Sequence, residues 1–176
     1  MPAATVVARA VLISILAVAP RTLPAQSNPV TSAARHMAQR SGLHLVDAAL
    51  AMPADKYAFQ PTKGQMTFGE LIVHVQGDNR TTCSSFSGMT PAPEPKLSPT
   101  APKAALVAAL SRSISFCDSA FARVSDGKLG EPVTWYGTNA TRVQPMLGLL
   151  TDWADHYGQQ AMYLRLNGIL PPTARK

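Results

Sequence analysis

The sequence predicts an all-α protein, a four-helix bundle behind an N-terminal signal peptide. Three observations carry this. Four stretches repeat apolar residues at helical spacing, no run keeps the period-two alternation of a sheet, and a short apolar segment precedes them all. With 176 residues, 46% hydrophobic and 15% charged, the chain can build one real core but not two comfortable ones.

The segment "MPAATVVARAVLISILAVAPRTLPAQ" places Arg9 ahead of an apolar run from Ala10 to Ala19, with small residues before Gln26. That is the layout of a secretory signal peptide cut between Ala25 and Gln26. The run is about ten residues, and a membrane-spanning helix needs roughly 20. The expected domains are therefore residues 1–25 as signal peptide and 26–176 as the bundle. The expected address is periplasmic or extracellular in a bacterium, without stable membrane insertion after cleavage. An uncleaved anchor is the competing reading.

Cleavage removes Arg9 and Arg21 and no acid, so the formal charge falls from +6 to +4. The basic residues form no runs and no aromatics are interleaved with them. The excess reads as solvation, and nucleic-acid binding is not expected.

The first helix covers about Thr31 to Ala51, with Ala34, Met37, Ala38, Leu45, Ala48 and Ala49 at helical spacing. Ser41-Gly42 inside it is a candidate bend. "MPADKYAFQPTKGQ" is a turn-rich link in which Tyr57 and Phe59 should tuck against the bundle end. The second helix opens with Thr67 and Glu70 three residues apart, a capping box, and runs to about Ser87. Five prolines from Pro91 to Pro102 make a stiff connector. The third helix, about Lys103 to Val124, carries the stripe Leu106, Ala109, Leu110, Ile114, Cys117, Phe121 and Val124. "SDGKLGEPVTWYGTNAT" is expected to be a long loop anchored by Trp135 and Tyr136. The fourth helix starts near Gln144–Pro145 and stops at Asn167-Gly168, ahead of Pro171-Pro172. Its seam is Met146, Leu150, Trp153, Tyr157, Ala161 and Leu164. Connections this long allow a crossover topology.

Cys83 and Cys117 are the two cysteines. An oxidising compartment favours a disulfide. Consecutive antiparallel helices would put them at different heights, which opposes one. The sequence leaves the pairing open. Neither lies in a CxxC, so redox catalysis is not expected.

The polar residues on apolar helices carry the chemistry. Asp152 and His156 lie one turn apart on the fourth helix, on a stripe continued by Gln159, Gln160 and Tyr163. The helical period sets that stripe about 100° from the seam, at the core's edge. On the second helix Glu70, His74 and Asp78 share a face, and His74 stands between Val73 and Val75. An imidazole there needs a partner. Facing helices supply partners in bundles, and metal sites are built that way. His74 with Asp152 and His156 would give a divalent ion two imidazoles and one carboxylate. That donor set suits zinc, nickel or iron and leaves positions for water or substrate. The bland alternative is a satisfied core histidine beside a local Asp152–His156 pair.

"PADKYAFQPTKGQMTFGELIVHVQGDN" and "DWADHYGQQAMYLRLNGILPP" resemble the two ends of the DinB/YfiT-like metalloenzyme family. The resemblance spans about residues 31–172. Its most specific parts are the P-T-x-G-x-x-[ST]-F opening of the second helix, the histidine after it, and "HYGQ" with "YLRLNG" in the fourth. It implies a four-helix bundle of variant topology and a metal-dependent activity, with thiol-cofactor transferases among the relatives. The family pattern has one histidine on the second helix and an H-x-x-x-H pair on the fourth. His74 and His156 match the first and last, and Asp152 stands where the family often has histidine. That substitution implies either a retained site with altered metal preference or a degenerate one. Asp78 and Gln160 are candidates to orient the imidazoles. Glu70 is claimed by the capping box, His36 and His44 read as surface or helix-edge residues, and Arg165 as a helix-end cation.

Two functions fit. One is an exported metal-dependent enzyme of hydrolase or transferase type acting on an unidentified small molecule. The other is a non-catalytic bundle that binds a partner or ligand through a degenerate site. Homodimer formation is compatible with either.

Overall fold

The computed structural model describes residues 27–174, together with Met1; the expected signal peptide lies outside the described residues. Four helices carry the fold: α1 (Pro29–Ala51), α2 (Phe68–Ser87), α3 (Lys103–Arg123) and α4 (Val143–Leu166). A short antiparallel hairpin, β1 (Pro132–Trp135) and β2 (Thr138–Thr141), stands between α3 and α4.

Side-chain pairs give the direction of each helix. Asn79 meets Ser113, and Cys83 is bonded to Cys117, with the same offset along the chain. So α2 and α3 run parallel. The proline-rich connector makes this possible by returning alongside α2: Arg80 donates to Ala92 O, Gln76 to Glu94, and Gly69 packs under Pro99. Against α1 the helix α3 is antiparallel, since Arg35 pairs with Asp118 while Lys103 reaches Leu50 O and Met52 O. α4 is antiparallel to α2, with Trp153 on Asn79 and Tyr163 on Met66. The bundle is thus up-down-down-up, with one long crossover.

The parallel α2–α3 pair also resolves the cysteines. Cys83 and Cys117 form a disulfide, with Cα atoms 5.3 Å apart. The opposing register argument assumed antiparallel neighbours, and the crossover removes that assumption.

Local signals place most helix ends. Thr67 accepts from Glu70 N (3.2 Å) and Glu70 accepts from Thr67 N (2.6 Å), closing the expected capping box. Gly88 ends α2 at φ 71°, in the left-handed region. α1 is capped from afar. Asp126 accepts from Val30 N and Thr31 N, and its own N–H donates to Asn28 Oδ1. α1 continues through Ser41-Gly42 as one helix. A Cβ on Gly42 would stand 2.7 Å from Ile114 and 3.3 Å from Trp153, so this glycine permits close packing of α1 on α3 and α4. Met37, expected inside, is half exposed. Tyr57 is buried, its hydroxyl donating to Ala49 O, and Phe59 packs edge-on against Tyr163.

The expected loop before α4 holds the hairpin. Its strands are four residues each, too short for the alternation to show. Tyr136 and Gly137 form the two-residue turn at φ 46° and 75°, the left-handed pair a tight hairpin requires. α3 is long and apolar enough to cross a membrane, but here its buried Leu106, Leu110, Cys117 and Phe121 belong to the core.

Candidate metal centre

α2 and α4 cross as antiparallel neighbours, and a buried hydrogen-bond chain fixes their register. Trp153 Nε1 donates to Asn79 Oδ1 (2.6 Å), Asn79 Nδ2 donates to Ser113 Oγ (2.9 Å), and Ser113 Oγ donates to Leu110 O (2.8 Å). Asp78 and Asp152 each immediately precede a member of this chain. Both are therefore held one residue round from a fixed point.

That register brings His74 and His156 together. Their ring centroids are 4.8 Å apart and the planes meet at 84°, edge to face. Each imidazole has a carboxylate one turn away on its own helix. His74 Nε2 lies 3.1 Å from Asp78 Oδ2, and His156 Nε2 lies 3.2 Å from Asp152 Oδ1. His74, Asp78 and His156 offer ligand atoms that all lie within 4.8 Å of one another. Asp152, the carboxylate picked from the sequence, contacts His156 but is not one of those three. Asp78, read from the sequence as an orienting partner, supplies the oxygen of the group.

The stripe on α4 is deeper than the sequence suggested. His156 is 5% exposed and Gln160 is fully buried, because α2 packs across the face that simple periodicity put at the core's edge. These buried polar groups lack partners. Asp152 Oδ2, both nitrogens of His156 and both amide atoms of Gln160 make no hydrogen bond. The Asp152–His156 approach is close enough for charge attraction but is not aligned as a hydrogen bond. Among the described residues the one other such buried atom is Arg142 Nε. Natural cores seldom leave buried polar atoms unpaired, and a cluster of them marks a place for water or an ion. Two imidazoles with carboxylate oxygen are a donor set that divalent transition metals accept, so the residues present fit such an ion.

Burial is the strongest single influence on the His156 ring and disfavours its charged form. Asp152 beside it, helped by Gln159 and Asp155, outweighs burial, and the ring pKa lies above the ordinary imidazole value.

A family model of the DinB superfamily matches residues 37–160. This chain belongs to the DinB superfamily. The matched region contains His74, Asp78, Asp152, His156 and Gln160, so the DinB match and the unpartnered cluster fall on the same residues. A search of curated proteins finds no match.

The hairpin brings Trp135 and Tyr136, expected only as loop anchors, into contact with α2 beside this group. Tyr136 donates its hydroxyl to Asp78 Oδ1 (3.1 Å) and shares a second contact with Thr82 (3.3 Å). Trp135 Nε1 donates to Thr82 Oγ1 (3.3 Å). The dipeptide Tyr136-Gly137 was the available signal, since glycine at the second turn position favours a tight hairpin. Of the other histidines, His36 is exposed and His44 is half-buried with its ring 5.2 Å from Tyr157. Neither joins a metal-capable group among the described residues. Glu70 caps α2, as expected.

Proposed function

We propose that this DinB-superfamily protein is an exported metal-dependent enzyme of hydrolase or transferase type, acting on a small molecule. The observation that carries this is the edge-to-face imidazole pair with a carboxylate on each Nε2, in a spot where His156 and Asp152 leave buried polar atoms unpartnered. His74 and His156 would hold the ion through one nitrogen each, with the carboxylates of Asp152 and Asp78. Zinc, nickel and iron would each accept imidazole and carboxylate donors of this kind. When bound, such an ion supplies Lewis acidity toward an oxygen or sulfur donor. The chain's own residues do the arranging. Tyr136 holds Asp78 by its hydroxyl, and the Trp153–Asn79–Ser113 chain sets the spacing of α2 and α4.

Export is supported by the leader-like sequence of residues 1–25 and by the disulfide, which persists in oxidising compartments. The same address disfavours thiol-cofactor transfer, whose low-molecular-weight thiols are chiefly cytosolic.

Two measurements test this. The mature chain, purified without chelator, should carry stoichiometric metal, and Asp152→Ala with His156→Ala should carry none. Metal absent from both would leave a ligand-binding bundle in which the same residues form two local ion pairs. N-terminal sequencing of the protein from the extracytoplasmic fraction should begin at Gln26; an intact Met1 there would contradict cleavage.

A further inference from the structure

Beside the candidate metal centre a cavity of about 390 Å³ opens between the hairpin and α4. That volume is within the range of small-molecule sites. Trp135 and Tyr136 wall one side, their rings 5.6 Å apart and tilted by 38° into a corner. The corner is fixed at both ends. Thr82 accepts from the Trp135 indole, and the Tyr136 hydroxyl is tied to Asp78. Gly148 lies under the indole, where a Cβ would stand 2.7 Å from Trp135 Cη2, so only glycine lets the ring seat against α4. From α4, Asp152 and Asp155 also line it. No lysine or arginine lines the cavity.

Tyr136 is also the one non-glycine residue with positive φ among the described residues. An aromatic residue in that region is strained, and such strain is commonly kept where it places a functional side chain.

We propose that this cavity binds the cationic head of a small organic molecule, an alkylammonium or quaternary ammonium group. The faces of Trp and Tyr attract cations through their ring quadrupoles, and the Asp155 carboxylate, which the metal reading leaves free, adds a negative field. An anionic head would meet that field without a counter-charge. The cavity shares Asp152 with the metal group, so the inference deepens the proposed function by giving the substrate class of the same site. It does not need the ion to be tested.

The probes are choline and its uncharged isostere 3,3-dimethylbutan-1-ol, titrated into the mature protein by calorimetry, with metal content measured on the same sample. Choline should bind saturably and at least about tenfold tighter than the isostere, the preference that cation–π and carboxylate contacts of this kind give. Trp135→Leu and Asp155→Asn should each weaken choline by several-fold while leaving metal content unchanged. Asp155 is exposed, so its variant keeps the fold. Equal affinity for the two probes, or no saturable choline binding by wild type, would overturn the inference. Loss of metal alone, with the choline preference intact, would count against the metal reading and not against this one.

Discussion

Two buried polar groups sit side by side where α2 packs on α4, and they are built in opposite ways. Trp153, Asn79 and Ser113 form a closed chain in which each donor has an acceptor. Asp152, His156 and Gln160, beginning one residue before Trp153, leave five buried polar atoms unpartnered. A satisfied network fixes geometry and asks nothing of solvent. An unsatisfied one costs stability unless something fills it. Their adjacency teaches how this bundle is arranged: the first group sets the register of α2 and α4 so that the second can face a ligand.

The predictions separate these two groups, and the largest effects belong to the structural one. Trp153→Ala removes a buried indole and orphans Asn79 Oδ1. It should cost about 3–5 kcal/mol, read as a drop in Tm of about 10 °C or more. A change of only a degree or two would mean that the chain is not what holds the helices. Next comes the disulfide that bolts α2 to α3 beside it. Cys83→Ser with Cys117→Ser should lose about 3–4 kcal/mol by denaturant unfolding, and reductant should not lower the Tm of the double variant further.

The unpartnered group should respond the other way. Gln160→Met replaces a fully buried, unbonded amide by an apolar chain of similar length. In metal-free protein it should be neutral or stabilising, within about 1 kcal/mol. A loss above about 2 kcal/mol would show that Gln160 is satisfied in solution and belongs with the structural network.

The smallest effect is electrostatic and lies away from both groups. The hydrogen bond from Arg35 holds the Asp118 carboxyl below its usual range, against burial and with help from Gln39. For Asp126 burial is the strongest influence and pushes upward, but the amides of Val30 and Thr31 outweigh it and the carboxyl titrates low. A depressed carboxyl contributes stability above its unfolded pKa of about 4 and loses it as pH falls through the lower folded value. The Tm should therefore decline from about pH 5 toward pH 3, with a shallower decline in Asp118→Asn. A Tm that rises as pH falls from about 5 to about 3 would contradict these assignments.

Much of this was legible in the sequence. Thr67 with Glu70, the proline cluster and Asn167-Gly168 mark helix ends through local chemistry, and local chemistry survives into the fold. His74 was legible because an imidazole on an apolar helix must have a partner, and His156 because it stands one turn from Asp152 in the family-like "HYGQ". What escaped depends on topology. The depth of His156 and Gln160 follows from α2 crossing their face. The Cys83–Cys117 register follows from the crossover, which no single helix encodes. Asp78 emerged as the near oxygen because antiparallel packing of α2 on α4 sets which carboxylate meets the facing imidazole. The hairpin was missed because four-residue strands are too short to show a period.

The central claim is that the unpartnered group is completed by a divalent ion while the closed network is not. Thermal unfolding of metal-stripped protein, with and without zinc or nickel at about 100 times Kd, tests it directly. Wild type should gain about 2.7 kcal/mol, a rise in Tm of about 5–10 °C. His156→Ala should gain nothing, and Asn79→Ala, though less stable at the start, should still respond. No rise in wild type, or an equal rise in His156→Ala, would contradict the account.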